Sequence, residues 1–370
     1  MLTGVSTIDQ ESYAQILRFC IRTGGNLMTF GPAGIGKTEM AMQAAEELGF
    51  ECVYLNLSVL EAPDLLGLPM IDEQSKTATY ATPQMLPLLN DNSKKVVLLV
   101  DEVDKAKPEL QNPCLELFQF RGINGRPLNI HSVVATGNLP DEGAFSLPVS
   151  HALTNRCMVY RLTHAYDPWQ EWAVEAGVNN LIVGFLSRNQ EYLLQPPPSG
   201  DDTAYCHPTP RAWTLAAKDL DETSDGDSVD FQTMIVASRV GTSAAVKFKV
   251  WLEHYRHIEP IIDKLIKEGT HPNTKKMSID RVMVCALAGM NALASECRNL
   301  PSGEKAKKAK DKNIERIVKN VMGWFKTLDS EYCVCAIKST LNMDMIRDNK
   351  LTQYSDFMDA FLKIKKAWND

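Results

Sequence analysis

The stretch Gly31-Pro32-Ala33-Gly34-Ile35-Gly36-Lys37-Thr38 lies between an apolar run at 26–30 and a helical pattern at 41–48. A buried strand that enters a glycine-rich turn and leaves as a helix admits few architectures. Gly31, Gly36, Lys37 and Thr38 satisfy the spacing G-x-x-x-x-G-K-[ST], in which glycines let the backbone wrap tightly and turn its N–H groups toward phosphate. The helix N-terminus adds its own unpaired donors. In this pattern Lys37 bridges the β and γ phosphates and the Thr38 hydroxyl ligates Mg²⁺; Pro32, Ala33, Gly34, Ile35 and Glu39 complete the nucleotide-binding stretch.

Further strands are predicted at 52–57, 96–100, 132–136 and 158–162, alternating with helical segments. With the run at 26–30 they imply an α/β fold, a parallel five-stranded sheet flanked by helices. After 162 the strand signals stop. Residues 168–194 read as helical, 195–202 (QPPPSGDD) as a loop, and 210–220 as a helix opened by Pro210. The region 231–370 reads as all helical, with Val282, Cys285, Ala286 and Met290 at helical spacing. Expected domains are therefore 1–163, 164–230 and 231–370.

A second motif completes the first. The run Val96 to Val100 delivers Asp101 and Glu102 to the C-terminal end of a strand, the edge at which open α/β sheets bind ligands. Asp101 can hold Mg²⁺ through its water shell, and Glu102 can polarise an attacking water. Asn124-Gly125 signals a tight hairpin, and the strand at 132–136 ends just before Asn138.

Composition excludes other classes. No apolar stretch reaches the roughly 20 residues of a membrane span, and residues 1–12 lack signal-peptide character, so a cytoplasmic location is expected. Nine scattered cysteines form no disulfide framework, and the Cys333-x-Cys335 pair lacks the further ligands of a zinc site. A net charge of −7 argues against a surface devoted to nucleic acid, although Lys305, Lys307, Lys308, Lys310 and Lys312 form a local basic cluster.

The segments GPAGIGKT, VVLLVDEVDKAKPELQN, VVATGNLP, ALTNRC and PTPRAW occur in the order found in AAA+ ATPases. The chain resembles their MoxR-like, dynein-related branch over about 16–220. That resemblance implies a P-loop NTPase AAA+ core with a helical lid and an additional helical region. It implies an ATPase using ATP and Mg²⁺, with Lys37 and Thr38 as Walker A, Asp101 and Glu102 as Walker B, Asn138 as sensor 1 and Arg211 as sensor 2. Arg156 matches the arginine finger given to a neighbouring subunit, with Arg161 the competing candidate, and Asn56 is either a switch restraining Glu102 or a strand-end hydrogen bonder. Asp64 and Gly67 stand at familiar positions, whereas Gly137 and Cys157 depart from the usual wording. The implied assembly is a homo-oligomeric, hexameric ring that remodels a protein client, with a von Willebrand A-type partner. The alternative is a nucleotide-switched DNA- or RNA-binding loader or translocase.

Overall fold

The computed structural model describes residues 5–74, 77–81, 83, 96–139, 146–197, 206–224, 226–298, 304–338, 340–341 and 343–368. The chain divides into two units, Met1–Ala165 and Tyr166–Asp370.

The first unit is a parallel sheet of six strands rather than five. In chain order these are β1 (Ser6–Ile8), β2 (Asn26–Phe30), β3 (Glu51–Asn56), β6 (Val96–Asp101), β9 (Ile130–Gly137) and β10 (Met158–Leu162), arranged β1-β10-β2-β9-β6-β3. The unforeseen β1 is a short edge strand with exposed Ser6 and Thr7, so it carries no apolar run to betray it. The central strands are legible because both their faces are buried: Val96 to Val100 are fully inaccessible. Alternation then sorts them, since Leu98 and Val100 join Met28, Phe30, Val133 and Ala135 in one core with Leu110, Cys114 and Leu117 of α4 (Pro108–Phe120).

The remaining helices of this unit are α1 (Gln10–Thr23), α2 (Lys37–Glu47), α3 (Ala62–Leu66) and α5 (His151–Thr154). Helix α1 starts where Asp9 accepts the Ser12 N–H at 2.8 Å and stops at Gly24, φ +70°. Two antiparallel hairpins decorate the sheet, β4 (Pro69–Asp72) with β5 (Thr77–Tyr80) and β7 (Gly122–Ile123) with β8 (Arg126–Pro127). The second turns on Asn124 and Gly125, both at positive φ, as the Asn-Gly signal predicts.

The second unit contains only helices among its described regular elements: α6 (Tyr166–Glu175), α7 (Asn180–Arg188), α8 (Pro210–Asp221), α9 (Val229–Val240), α10 (Thr242–Glu268), α11 (Ile279–Arg298), α12 (Glu304–Phe325), α13 (Ser330–Lys338), α14 (Met343–Asp348) and α15 (Ser355–Trp368), with short 3₁₀ turns between some of them. Phe185 anchors one core, its ring 5.4 Å from that of Trp213 and 5.6 Å from that of Phe248. A separate core gathers Leu265, Met290, Val321, Trp324 and Phe357. Helix α10 serves both, giving Phe248 and Leu252 to the former and Ile258, Ile262 and Leu265 to the latter. Among the described residues no helix is long and apolar enough to cross a membrane.

Candidate nucleotide site

Three adjacent strands build the site from their C-terminal ends. β2 leads into the glycine-rich loop, β9 lies beside it, and β6 lies on the far side of β9. The register pairs Phe30 with Gly137 and Val100 with Ala135, so loop, Asn138 and Asp101 emerge at one edge.

The loop leaves donors unspent. Gly34 and Gly36 sit at φ +76° and +95°, conformations that L side chains rarely adopt, and a Cβ on Gly31 would meet the Leu162 carbonyl at 2.6 Å. Among the described residues the backbone N–H groups of Gly34, Ile35 and Gly36 donate to nothing in the chain. Consecutive unpaired N–H groups at the start of α2 form an anion cradle, so the residues present fit a nucleotide phosphate. Lys37, 8% exposed, is held in the same place, its Nζ donating to the Gly31 carbonyl at 2.6 Å, the Pro32 carbonyl at 2.8 Å and Asn138 Oδ1 at 3.0 Å. Below it, the Tyr13 hydroxyl donates to the Lys37 carbonyl at 3.1 Å, and burial pushes the Tyr13 pKa up.

Asp101 collects donors from two strands, helix α2 and the turn. Its Oδ2 accepts from the hydroxyls of Thr38 and Tyr54, each at 3.1 Å; its Oδ1 accepts from the Glu102 N–H at 3.0 Å and from the Thr136 hydroxyl. Burial, and then the Asp101 charge, raise the Tyr54 pKa, so Tyr54 stays a donor. The Thr38 and Asp101 oxygens are those that would hold Mg²⁺. Glu102 sits at φ 57°, ψ 38°, the left-handed region that costs a non-glycine residue about 1–2 kcal/mol. That twist ends β6, and the Glu102 carboxylate pairs with Lys105 one turn on.

Asp104 was missed by the sequence reading. It is 1% exposed; Oδ1 accepts the Asn138 N–H at 2.9 Å and Oδ2 accepts the Ser146 hydroxyl at 3.0 Å. Its only signal was position, three residues after Asp101 at the end of an apolar strand. Asp104 also explains Gly137: a Cβ there would lie 2.9 Å from Asp104 Oδ1 and 3.1 Å from the Phe30 and Val103 side chains.

The other expected residues fall elsewhere. Asn56 Oδ1 accepts the Ser58 N–H at 2.9 Å and its hydroxyl at 2.7 Å, the strand-end alternative. Arg156 precedes β10, at the sheet edge opposite the loop; its guanidinium donates to Gln119 Oε1 at 2.6 and 2.9 Å and to the Ala152 carbonyl at 2.6 Å. Arg161 lies within β10, in register with Phe30. Arg211 is exposed in the first turn of α8, in the other unit. Cys157 is half-buried, and burial pushes its thiol up to about 12.

Residues 27–142 match the family model "AAA: ATPase family associated with various cellular activities". The chain carries an AAA ATPase domain. That domain is an ATP-hydrolysing module. Its curated relatives include the ClpA homolog protein of Fuscovulum blasticum, 30% identical over 113 residues, covering 30% of this chain and 14% of that protein. The Holliday junction branch migration complex subunit RuvB of Synechococcus sp. (strain CC9311) is 32% identical over 152 residues, covering 38% and 39% respectively. The chain thus spans well under half the length of these relatives. Solved structures similar to it include NtrX from Brucella abortus in complex with ADP (14% identity, TM-score 0.34, covering 96% of this chain and 67% of that one) and the Thermotoga maritima RuvB Holliday junction branch migration motor (15%, 0.35, 71% and 78%). At those scores the structural likenesses carry no argument, and the AAA ATPase domain rests on the sequence match over residues 27–142.

Proposed function

We propose that the chain is a subunit of an ATP-driven ring, a MoxR-like remodeller of a protein partner, whose hydrolytic site is completed by a neighbouring copy. The observation that carries this reading is the position of Arg156. It stands before β10 while the phosphate loop follows β2, and β10 spans five residues, roughly 16 Å at strand rise. An arginine so placed serves another copy's nucleotide rather than its own. Arranged head to tail, such contacts close into a ring.

Within one copy the chemistry divides among residues already in contact. Lys37 and the loop N–H groups would hold phosphate, and Thr38 with Asp101 would hold Mg²⁺, which when bound would supply charge neutralisation for the transferred phosphoryl group. Glu102 orients and polarises the attacking water, and Asn138, fixed through its N–H by Asp104, presents its carboxamide beside Lys37. Arg156 in trans and Arg211 on the lid add positive charge where it develops in the transition state, an arginine finger contributing about 10³–10⁵ in rate.

A protein client is favoured by the β4–β5 hairpin and the residue leading into it, where Leu68, Met70, Ile71 and Tyr80 are all exposed, large apolar side chains suited to a protein surface. A von Willebrand A-type protein is the partner class that the MoxR-like wording suggests. The second reading, a nucleic-acid translocase, draws on the RuvB relatives and on exposed Lys307, Lys308 and Lys312 of α12; Lys310 donates to the Cys297 carbonyl at 3.0 Å, and the Lys305 side chain lies outside the described residues.

The test is ATP hydrolysis against protein concentration, for the unaltered chain, for Glu102→Gln and for Arg156→Ala mixed with Lys37→Ala. Cooperative activity, dead single variants and partial recovery in the mixture are expected. Hydrolysis independent of concentration with a harmless Arg156→Ala would overturn the ring. DNA binding that falls steeply with salt, and that Lys307→Glu with Lys308→Glu abolishes, would promote the second reading.

A further inference from the structure

The helical unit holds a cleft of about 450 Å³ between its two cores, within the size range of ligand sites. Its polar lining includes Asn179, Asp221, Gln232, Arg256, Asp263 and Asn291. Most of these spend their hydrogen bonds on one another. Asn179 donates to Asp221 at 2.7 Å and accepts the Leu181 N–H at 2.9 Å; Gln232 donates to the Thr223 hydroxyl at 3.0 Å and accepts from Arg256 Nη2 at 2.9 Å. Asp263 pairs with Lys267 at 2.7 Å.

Asn291 does not. It is 8% exposed, lines the cleft from α11, and its carboxamide has no hydrogen-bond partner among the described residues. Its carboxamide opens onto the cleft, so water or a ligand supplies the hydrogen bonds that the fold does not. Arg256, facing the same space, uses one of its five N–H groups on Gln232 among the described residues. One turn further along α10, Pro260 has no N–H, so the Arg256 carbonyl lacks its ordinary helical donor. Leu252, Ile262 and Ile266 supply apolar wall.

We propose that this cleft binds a short, extended, carboxylate-bearing peptide segment of a partner protein. A carboxamide presents a donor and an acceptor side by side, the same pair that a peptide group presents, so Asn291 matches main chain in two hydrogen bonds. Arg256 then takes a carboxylate of that segment through its remaining fork, and the apolar wall takes a neighbouring side chain. The inference does not depend on the ring or on ATP, since cleft and nucleotide loop belong to different units.

The test uses the full chain without nucleotide and an array of ten-residue peptides of random sequence carrying a fixed central Glu, beside a matched array carrying Gln there. Selected peptides are then titrated by fluorescence polarisation. Expected are binders that prefer the Glu form, weakened at least about tenfold by Arg256→Gln and by Asn291→Leu. Lys247→Ala, exposed on α10 away from the cleft lining, should leave binding intact. Asn291→Leu should also melt no lower than the unaltered chain, because it removes the unpaired amide; if it fails to fold, Arg256→Lys carries the test, keeping charge but losing the fork and weakening the Glu peptides alone. Equal affinity for Glu and Gln peptides, or full binding by these variants, would overturn the proposal, as would competition by a single-stranded oligonucleotide.

Discussion

The two units present polar groups at their sites in opposite ways. At the phosphate loop of the sheet unit, the nearly inaccessible Lys37, Asp104 and Thr136 are each tied to neighbours, and the groups open toward a ligand are backbone N–H groups aimed out of the loop. At the cleft of the helical unit, the group open toward a ligand is a side chain, Asn291. The former arrangement suits a ligand whose chemistry never varies, because backbone donors cannot be exchanged by mutation. The latter suits a ligand that changes, because one side-chain substitution resets the site.

That contrast can be broken most severely at the chemistry. Glu102→Gln should lower single-turnover ATP hydrolysis by about 10²–10⁴ while leaving nucleotide binding in place. Trp213→Ala tests whether the helical unit fails by itself. Loss of a fully buried indole that also donates to the Tyr192 carbonyl at 2.6 Å should cost about 3–5 kcal/mol, read as lost amide protection around Phe185 with protection at Val97 kept. Equal loss in both regions would mean the units unfold together.

Asp104→Asn sharpens the sheet side. It keeps the shape, removes the charge that accepts from Asn138 and Ser146, and should cost about 1–3 kcal/mol. Its turnover should fall more than its KM rises, since Asp104 positions Asn138 rather than touching nucleotide; a change confined to KM would contradict that role. Gly137→Ala, forced against Asp104 and Phe30, should cost about 1–3 kcal/mol by overpacking and be partly rescued by Val103→Ala.

The smallest effect is a pH dependence. Burial lowers His164 to about 4, so between pH 4 and its ordinary 6.5 the unfolded chain binds the extra proton. Stability from this group is therefore present above about 6.5 and lost as pH falls toward 4. For a partly exposed ring the effect is roughly 1 kcal/mol, and His164→Gln should flatten the melting curve across that window by this amount.

Much of the sheet unit was legible because parallel strands buried on both faces write themselves as unbroken aliphatic runs, as at Val96 to Val100, and because each run ends at its functional residue. Strand β1 and the β4–β5 hairpin were not legible for the converse reason: Thr77 to Tyr80 are exposed throughout, so neither alternation nor burial marks them. Asp104 was hidden among the acids of VDEVDK, where nothing local separates a buried carboxylate from a solvated one. The cleft was out of reach altogether, since it joins residues from Gly177 to Ser295 that only helix packing brings together.

Helix α10 remains as a mechanical element. At 27 residues it is a rod of about 40 Å, with one core fastened near its start and the other near its end. Two bodies bolted to one beam cannot slide past each other; they can only swing as the beam flexes. The section between the fastenings, Leu252 to Ile258, runs into Pro260, where the ladder lacks a rung. Bending stiffness there sets how far the two cores can part.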